Sequence, residues 1–101
     1  MAQMLRLTGK RFELGTLVLT RGVNDKVADD AEFAKFVWRS ILRHGDGDWG
    51  DMDDHDKAEN ELAIGKHLRL FSSYEQAPLP KIWIITEADR SATTVLFPNE
   101  Y

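Results

Sequence analysis

The spacing of the apolar residues changes along this chain, and these changes limit the folds open to it. In the middle of the chain they recur every three or four residues, as on one face of a helix: Phe33, Phe36, Val37, Ser40, Ile41 and His44. From Leu68 onwards three runs are extended in pattern, with the sequences LRLFSSY, KIWIITE and ATTVLFP. The β-branched and leucine-rich run Leu14–Thr20, which stops at Arg21-Gly22, is a fourth candidate strand. Helices and strands in separate stretches predict an α+β domain.

The last two extended runs are predicted to pair as a hairpin around a four-residue turn at Ala88–Ser91. That turn sets three cross-strand pairs: Ile82 with Phe97, Trp83 with Leu96, and Ile84 with Val95. The centre of KIWIITE is apolar on both faces, which predicts a central strand with helices on one face and another cover near Trp83. We therefore expect two helices packed on an antiparallel sheet of about four strands that includes this C-terminal hairpin.

The first helix is predicted from about Asp30 to His44. Asp29 followed by Glu32 is an acidic version of a capping box, and Gly45 stands where a helix often ends in the left-handed conformation.

Further apolar residues indicate how deeply the helices are buried. Trp38 and Leu42 widen the apolar stripe of the first helix, so we expect that helix to be well buried. A second, weaker helix is marked by Ala58, Leu62 and a closing Gly65.

The size of the chain is sufficient for one core. With 101 residues, 43% hydrophobic and 30% charged, we expect residues 1–101 to form one globular domain, with 1–11 less firmly ordered. Charged residues interrupt the N-terminal apolar runs before they reach the length of a signal peptide, and there is no transmembrane stretch. The absence of cysteine excludes disulfides and fits a reducing compartment, so a cytoplasmic protein without membrane contact is expected.

The net charge of −4 comes from one segment. Residues 1–45 carry eight Lys or Arg and five acids, and residues 62–101 carry four of each. Residues 46–61 carry eight acids and only Lys57. This distribution disfavours direct binding to phosphates and favours a basic protein partner.

The acidic run GDGDWGDMDDHD was compared with known metal-ligand spacings. In an EF-hand frame that starts at Asp46, glycine takes the fifth position and Lys57 the twelfth. The three histidines match no zinc pattern. We therefore expect no metal and no cofactor, with the later aspartates capping the second helix.

The same run supplies the first candidate binding residues. Trp49 is either a loop anchor in the core or an exposed interface anchor. The candidates are Asp46, Asp48, Trp49, Asp51, Asp53 and Asp54.

Glu87, Asp89 and Arg90 crowd the hairpin turn. They form either a small polar site or the charged tip of a hairpin. The serines have no glycine elbow and no histidine at a recognisable spacing, so no catalytic residues are assigned.

Several motifs occur together in order: FELGTLVLTRGVND from Phe12, then GDWGD, RLFSSY, WIITEADRS and TTVLFP. From about Phe12 to Tyr101 the chain resembles a family of short proteins found on plasmids, integrative elements and phages. Its members are often called plasmid-related protein or type I restriction endonuclease subunit M. The resemblance implies an accessory protein of a mobile genetic element.

The methyltransferase name can be tested on the residues. An adenine methyltransferase needs a glycine-rich turn for its methyl donor and a proline-aromatic motif for the flipped base. The sequence contains neither motif. We expect a protein that is not an enzyme.

Three functions remain open from the sequence. The first is a non-catalytic protein that binds a partner protein, such as a nucleic-acid enzyme or a host defence component, through the acidic run. The second is a module associated with nucleic acid through basic residues of the first half: Arg6, Lys10, Arg11, Lys35, Arg39 and Arg43. The third is a small metal-dependent hydrolase or nuclease. No pattern indicates the oligomeric state.

Overall fold

The computed structural model describes residues 6–101, and in that part of the chain three helices pack on a five-stranded sheet. The helices are α1 (Arg21–Asp29), α2 (Ala31–Gly45) and α3 (Asp54–Lys66). The strands are β1 (Arg6–Thr8), β2 (Glu13–Leu19), β3 (Leu70–Gln76), β4 (Leu79–Thr86) and β5 (Ala92–Leu96), followed by a 3₁₀ turn at Pro98–Glu100. The predicted α+β class is confirmed. None of the described helices is long and apolar enough to cross a membrane.

The sheet is mixed, in the order β1-β2-β5-β4-β3. β2 and β5 are parallel neighbours, and the other pairs are antiparallel. The prediction of about four antiparallel strands was therefore wrong in detail. β1 has three residues, too few to leave a pattern in the sequence, and residues 1–5 of the segment expected to be less ordered lie outside the described residues. Hydrophobic spacing also gives no information on the pairing of strands as far apart in the chain as β2 and β5.

The register of the C-terminal hairpin agrees with the prediction. Trp83 lies opposite Leu96, and Ile84 lies opposite Val95. β5 ends at Leu96, so the third predicted pair falls beyond the ladder. Trp83 is covered by the rings of Phe71 and Tyr101, whose centroids lie 5.0 and 5.8 Å from its own. This aromatic group is the second cover expected on the face of β4 opposite to the helices.

Helix α1 was not predicted. Its only buried residue is Val23, and Arg21-Gly22 had been interpreted as the end of a strand. The Thr20 side chain caps the helix by accepting from the Val23 N–H, and Glu100 accepts from the Gly22 N–H at 3.1 Å. The C-terminal turn therefore helps to hold a helix whose apolar pattern is too sparse to predict it.

The residues that end the other two helices lie one or two positions from the expected ones. Asp30, and not Asp29, caps α2 by accepting from the N–H groups of the next turn. The left-handed residue after α2 is Gly47, with φ of 82°, and not Gly45. In α3, Gly65 lies inside the helix, and His67 takes the left-handed position with φ of 53°.

A buried chain of hydroxyl groups and one histidine joins α2 to the sheet. The Thr93 hydroxyl donates to the Leu14 carbonyl at 2.7 Å and contacts Thr86 Oγ1 at 2.7 Å. Because the Thr93 hydroxyl has already used its hydrogen, the Thr86 hydroxyl donates to Thr93. Thr86 Oγ1 therefore accepts from the Nε2–H of His44 at 2.8 Å. His44 Nδ1 is left to accept from the Ser72 hydroxyl. This order fixes His44 as the neutral Nε2–H tautomer.

The His44 ring is fully buried, and burial, assisted by the charge of Arg90, lowers its pKa to about 3. The histidine is therefore neutral in the folded protein at pH values where it is protonated in the unfolded chain, whose reference pKa is about 6.5.

We expect the stability to fall on acidification below about pH 6.5, because the unfolded state then binds a proton that the folded state does not. The loss approaches about 1.4 kcal/mol per pH unit, or about 2 kcal/mol between pH 7 and pH 5. Urea unfolding across this range measures it. His44→Gln should flatten the slope, because it removes the buried imidazole. An equal slope in wild type and His44→Gln would contradict the assignment to His44.

Candidate interaction surface

The acidic segment, residues 46–61, runs along the edge of the sheet at β3. Gly50 forms a parallel bridge with Ser73, and the Asp51 N–H donates to the Ser73 carbonyl at 2.7 Å. A side chain at Gly50, where φ is 73°, would collide with the Ser73 carbonyl. The carboxylate of Asp51 accepts from the Glu75 N–H at 2.8 Å. The candidate residue Asp51 thus satisfies the backbone of an edge strand.

The same edge is completed by α3. Asn60 is buried and makes two hydrogen bonds to Phe71, donating to its carbonyl at 2.7 Å and accepting from its N–H at 3.2 Å. A side-chain amide therefore replaces a neighbouring strand at this position. Sequence reasoning missed Asn60, because a single asparagine in a helix carries no signal of a strand partner.

Trp49 is 3% exposed. Its ring stacks on Phe12 at 6.0 Å and meets His44 edge-on at 5.7 Å, and its Nε1–H donates to Glu61 at 2.9 Å. Of the two alternatives left by the sequence, the structure shows the loop anchor. Trp49 is thus not available as an exposed interface anchor.

Two carboxylates of the acidic segment hold arginines on neighbouring elements. Asp48 accepts from two guanidinium nitrogens of Arg43 at 2.7 and 3.1 Å, and this contact holds the pKa of the Asp48 carboxyl below its usual range. Glu61 accepts from Arg11 at 2.8 and 2.9 Å, and hydrogen bonds from Arg11 and Trp49 lower the pKa of Glu61. Both carboxylates therefore stay charged in mild acid.

The remaining acids of the run lie at helix ends. Asp46 caps the C-terminus of α2 and lies 3.9 Å from Lys10, a distance that gives a weak ion pair. Asp53 caps α3 by accepting from the Asp56 N–H at 2.8 Å, and Asp54 is in the first turn of that helix. These positions agree with the helix-capping interpretation of the later aspartates.

The three candidates at the hairpin turn point in different directions. Arg90 is 7% exposed and turns inward, donating to the carbonyls of Leu68 at 2.7 Å and Ala63 at 3.0 Å. Asp89 is exposed, and hydrogen bonds from the side chain and the backbone N–H of Ser91 lower its pKa. Glu87 accepts from Arg90 through its backbone carbonyl at 3.2 Å. Arg90 therefore ties the turn to the end of α3.

The serine–histidine contact that the described residues form lies in the core. Ser72 and His44 are in contact, as a nucleophile and its base would be, but both are fully buried, so no substrate reaches them. Within residues 6–101 there is no group of three or more histidine or acidic side chains placed to hold a metal ion.

Trp38 and Leu42, which led us to expect a well-buried helix, lie outside the buried face of α2. They are 47% and 52% exposed and lie at the rim of an apolar groove between α2 and the segment 7–10, with a volume of about 410 Å³. Both residues stand at the margin of the apolar stripe of α2, where helical spacing alone does not distinguish core from rim.

The two tryptophans provide a matched test of burial. Trp49→Ala should lower the free energy of unfolding by about 3 to 5 kcal/mol, because it leaves a cavity beside Phe12 and His44. Trp38→Ala should lower it by less than about 1 kcal/mol. Urea melts followed by circular dichroism measure both. Equal losses would contradict the burial of Trp49 and the exposure of Trp38.

In comparisons with known proteins, no protein family, curated protein or solved structure matches the chain.

Proposed function

We propose that this protein acts by binding another protein, without catalysing a reaction, and that its contact is the acidic start of α3, defined here as Asp53, Asp54, Asp56 and Glu59. The partner we propose is basic. The observation that supports this most directly is the uneven pairing of charges on the surface.

Five basic side chains of the first half have acidic neighbours, whereas Arg21 and Arg39 form no ion pair within residues 6–101. Arg11 pairs with Glu61, Arg43 pairs with Asp48, and other basic residues lie close to carboxylates in the same way. The further pairs are Lys10 with Asp46, Lys26 with Asp30, and Lys35 with Glu32. Exposed pairs add little stability, but they reduce the positive field that a nucleic acid would meet. This pairing weakens the alternative of a nucleic-acid module.

The acids at the start of α3 are less compensated. Within residues 6–101, Asp53, Asp54 and Asp56 form no ion pair, and all three are exposed. Among the described basic side chains, only His55 lies beside Glu59, at 3.8 Å. Asp25 and Asp29 of α1 are also exposed and without an ion pair, but the start of α3 places three such carboxylates within four residues. This local negative field favours encounter with a positively charged surface.

These carboxylates are also held on a fixed support. The cap from Asp53 orders the first turn of α3, and Asn60 fastens the middle of the helix to β3. A contact surface that is already ordered loses less entropy on binding than a flexible acidic tail.

The sequence motifs place the proposal in a biological setting. Because they resemble proteins of plasmids, integrative elements and phages, we propose that the chain is an accessory protein of a mobile genetic element. Enzymes that hold nucleic-acid phosphates present basic surfaces, so a nucleic-acid enzyme or a host defence component is the class of partner that we propose.

Neutralising the acidic start of α3 should slow association with the partner. We expect Asp54→Asn with Asp56→Asn to lower the association rate about threefold to tenfold at low salt, and to have a smaller effect at 300 mM NaCl. The partner is recovered from the native host by pull-down, purified, and measured by surface plasmon resonance at both salt concentrations.

The matched control is Asp25→Asn with Asp29→Asn, which changes the net charge equally on the exposed face of α1. Equal rates for the two double variants would show that the position of the charge is irrelevant and would overturn the proposed contact.

A further inference from the structure

Strand β1 is at the end of the sheet, and its outer edge directs backbone groups away from β2. The N–H of Thr16 donates to the Ser91 carbonyl at 2.9 Å, so the backbone groups of Thr16 face β5. Arg6 lies opposite Thr16. Because residues of an antiparallel ladder alternate between bonded and non-bonded pairs, the N–H and carbonyl of Arg6 face outward.

Thr8 continues this outer edge. The next residue, Gly9, faces inward and donates its N–H to the Phe12 carbonyl at 2.9 Å, so the backbone groups of Thr8 face outward as those of Arg6 do. Within residues 6–101, no hydrogen bond covers the outward groups of β1. The other edge of the sheet, at β3, is covered by α3 and the acidic segment. Strand β1 is therefore the edge to which a further strand can be added.

The apolar groove of about 410 Å³ lies beside this edge. Leu7 and Thr8 of β1 line one wall, and Trp38 and Leu42 of α2 line the other. Both of these α2 side chains are about half exposed. The apolar side chains at this wall are therefore accessible to a ligand that also reaches the backbone of β1.

Two glycines close one end of the groove. A Cβ atom on Gly9 would lie 2.6 Å from the Cα atom of Gly45, and the Arg11 N–H donates to the Gly45 carbonyl at 3.1 Å. These contacts tie the end of β1 to the end of α2, so the groove is formed before a ligand binds. A preformed groove loses less entropy on binding than one that must be ordered.

The edge and the groove together indicate the shape of the ligand. Unpaired N–H and carbonyl groups along one wall are complementary to an extended backbone, as in other cases where a peptide adds a strand to a sheet. The three residues of β1 span about 10 Å at about 3.3 Å per residue. Alternate side chains of an added strand point to one face, so one apolar side chain in three residues is enough to reach Trp38 and Leu42.

We propose that the outer edge of β1 and the groove beside α2 bind an extended segment of a partner protein, which adds a strand to the sheet. The backbone of the segment pairs with Arg6 and Thr8, and a bulky apolar side chain packs on Trp38 and Leu42. This inference goes beyond the proposed function, because the surface shares no residue with the acidic start of α3.

The test uses the full chain and four synthetic peptides of seven residues. Each has leucine, isoleucine, phenylalanine or tryptophan at its centre, flanked by alternating threonine and valine. Binding is followed by NMR on isotope-labelled protein. With at least one peptide we expect saturable shifts at Thr8, Trp38 and Leu42. We also expect slower hydrogen exchange of the Arg6 and Thr8 N–H groups, because they become donors to the added strand.

Two control peptides separate strand pairing from apolar contact. Both have the side chains of the best-binding peptide, and they carry N-methyl groups on alternate backbone nitrogens, one on the odd residues and the other on the even residues. An added strand directs only one of these sets of N–H groups towards β1. One control should therefore bind at least about tenfold more weakly than the other. Equal affinities of the two controls would overturn the pairing.

Two variants change the site and preserve the fold. Thr8→Pro removes an N–H that faces outward, and proline is tolerated at such edge positions, so the melting temperature should be nearly unchanged while binding weakens about tenfold. Its control, Thr8→Val, keeps the N–H and should bind as wild type does. Leu42→Gln should weaken binding by a similar factor. Leu62→Gln removes a similarly exposed leucine from α3 and should not weaken it.

Four results would contradict the inference. No saturable shift at the groove with any of the four peptides would show that it takes no extended segment. A strongly lowered melting temperature of Thr8→Pro would show that this N–H faces β2, and unchanged binding by Thr8→Pro would show that the N–H is not used. A dimer seen by sedimentation that Thr8→Pro dissociates would make β1 of a second copy the ligand. The acidic start of α3 is tested separately by its charge variants.

Discussion

An edge strand must satisfy the backbone groups that no neighbouring strand covers, and much of the acidic segment is organised by this requirement at β3. Asn60 forms hydrogen bonds with the carbonyl and the N–H of Phe71. Gly50 forms a β-bridge with Ser73, and the carboxylate of Asp51 accepts from the Glu75 N–H. Trp49 anchors the loop that carries these contacts. In the sequence the acidic segment has the charge of a solvated loop, yet in the structure it covers part of the β3 edge as a sixth strand would. The same contacts position α3.

Strands β2 to β5 and the hairpin register were predictable because their apolar residues report directly on faces and pairs. Helix α1 was not, since its burial depends on Val23 and its ends depend on Thr20 and the distant Glu100. Apolar spacing predicted that α3 exists but not how it packs. Ala63 and the half-buried Ile64 lie against the core, and the polar Asn60 joins the helix to the sheet by hydrogen bonds that the sequence does not indicate.

The structure divides the six candidate binding residues of the acidic run by what they contact. Trp49, Asp48 and Asp51 are bound within the fold, and Asp46 lies at the C-terminus of α2. Asp53 and Asp54 remain at an exposed helix start. Sequence charge counts cannot make this division, because it depends on which arginine or backbone N–H each carboxylate reaches. The proposed recognition surface is correspondingly smaller than the acidic run.

The chain from Ser72 through His44 to Thr93 has a consequence for how the strands align. β4 is apolar on both faces, with Ile82 and Ile84 on one side and Trp83 and Ile85 on the other. Hydrophobic burial therefore discriminates weakly against a slip of one residue, which would exchange the two faces. Such a slip of β4 would turn the Thr86 hydroxyl away from His44 and leave the Nε2–H of the imidazole without its acceptor in the core. The buried hydrogen-bonded chain therefore selects one register of the strands, where hydrophobic burial alone would allow two.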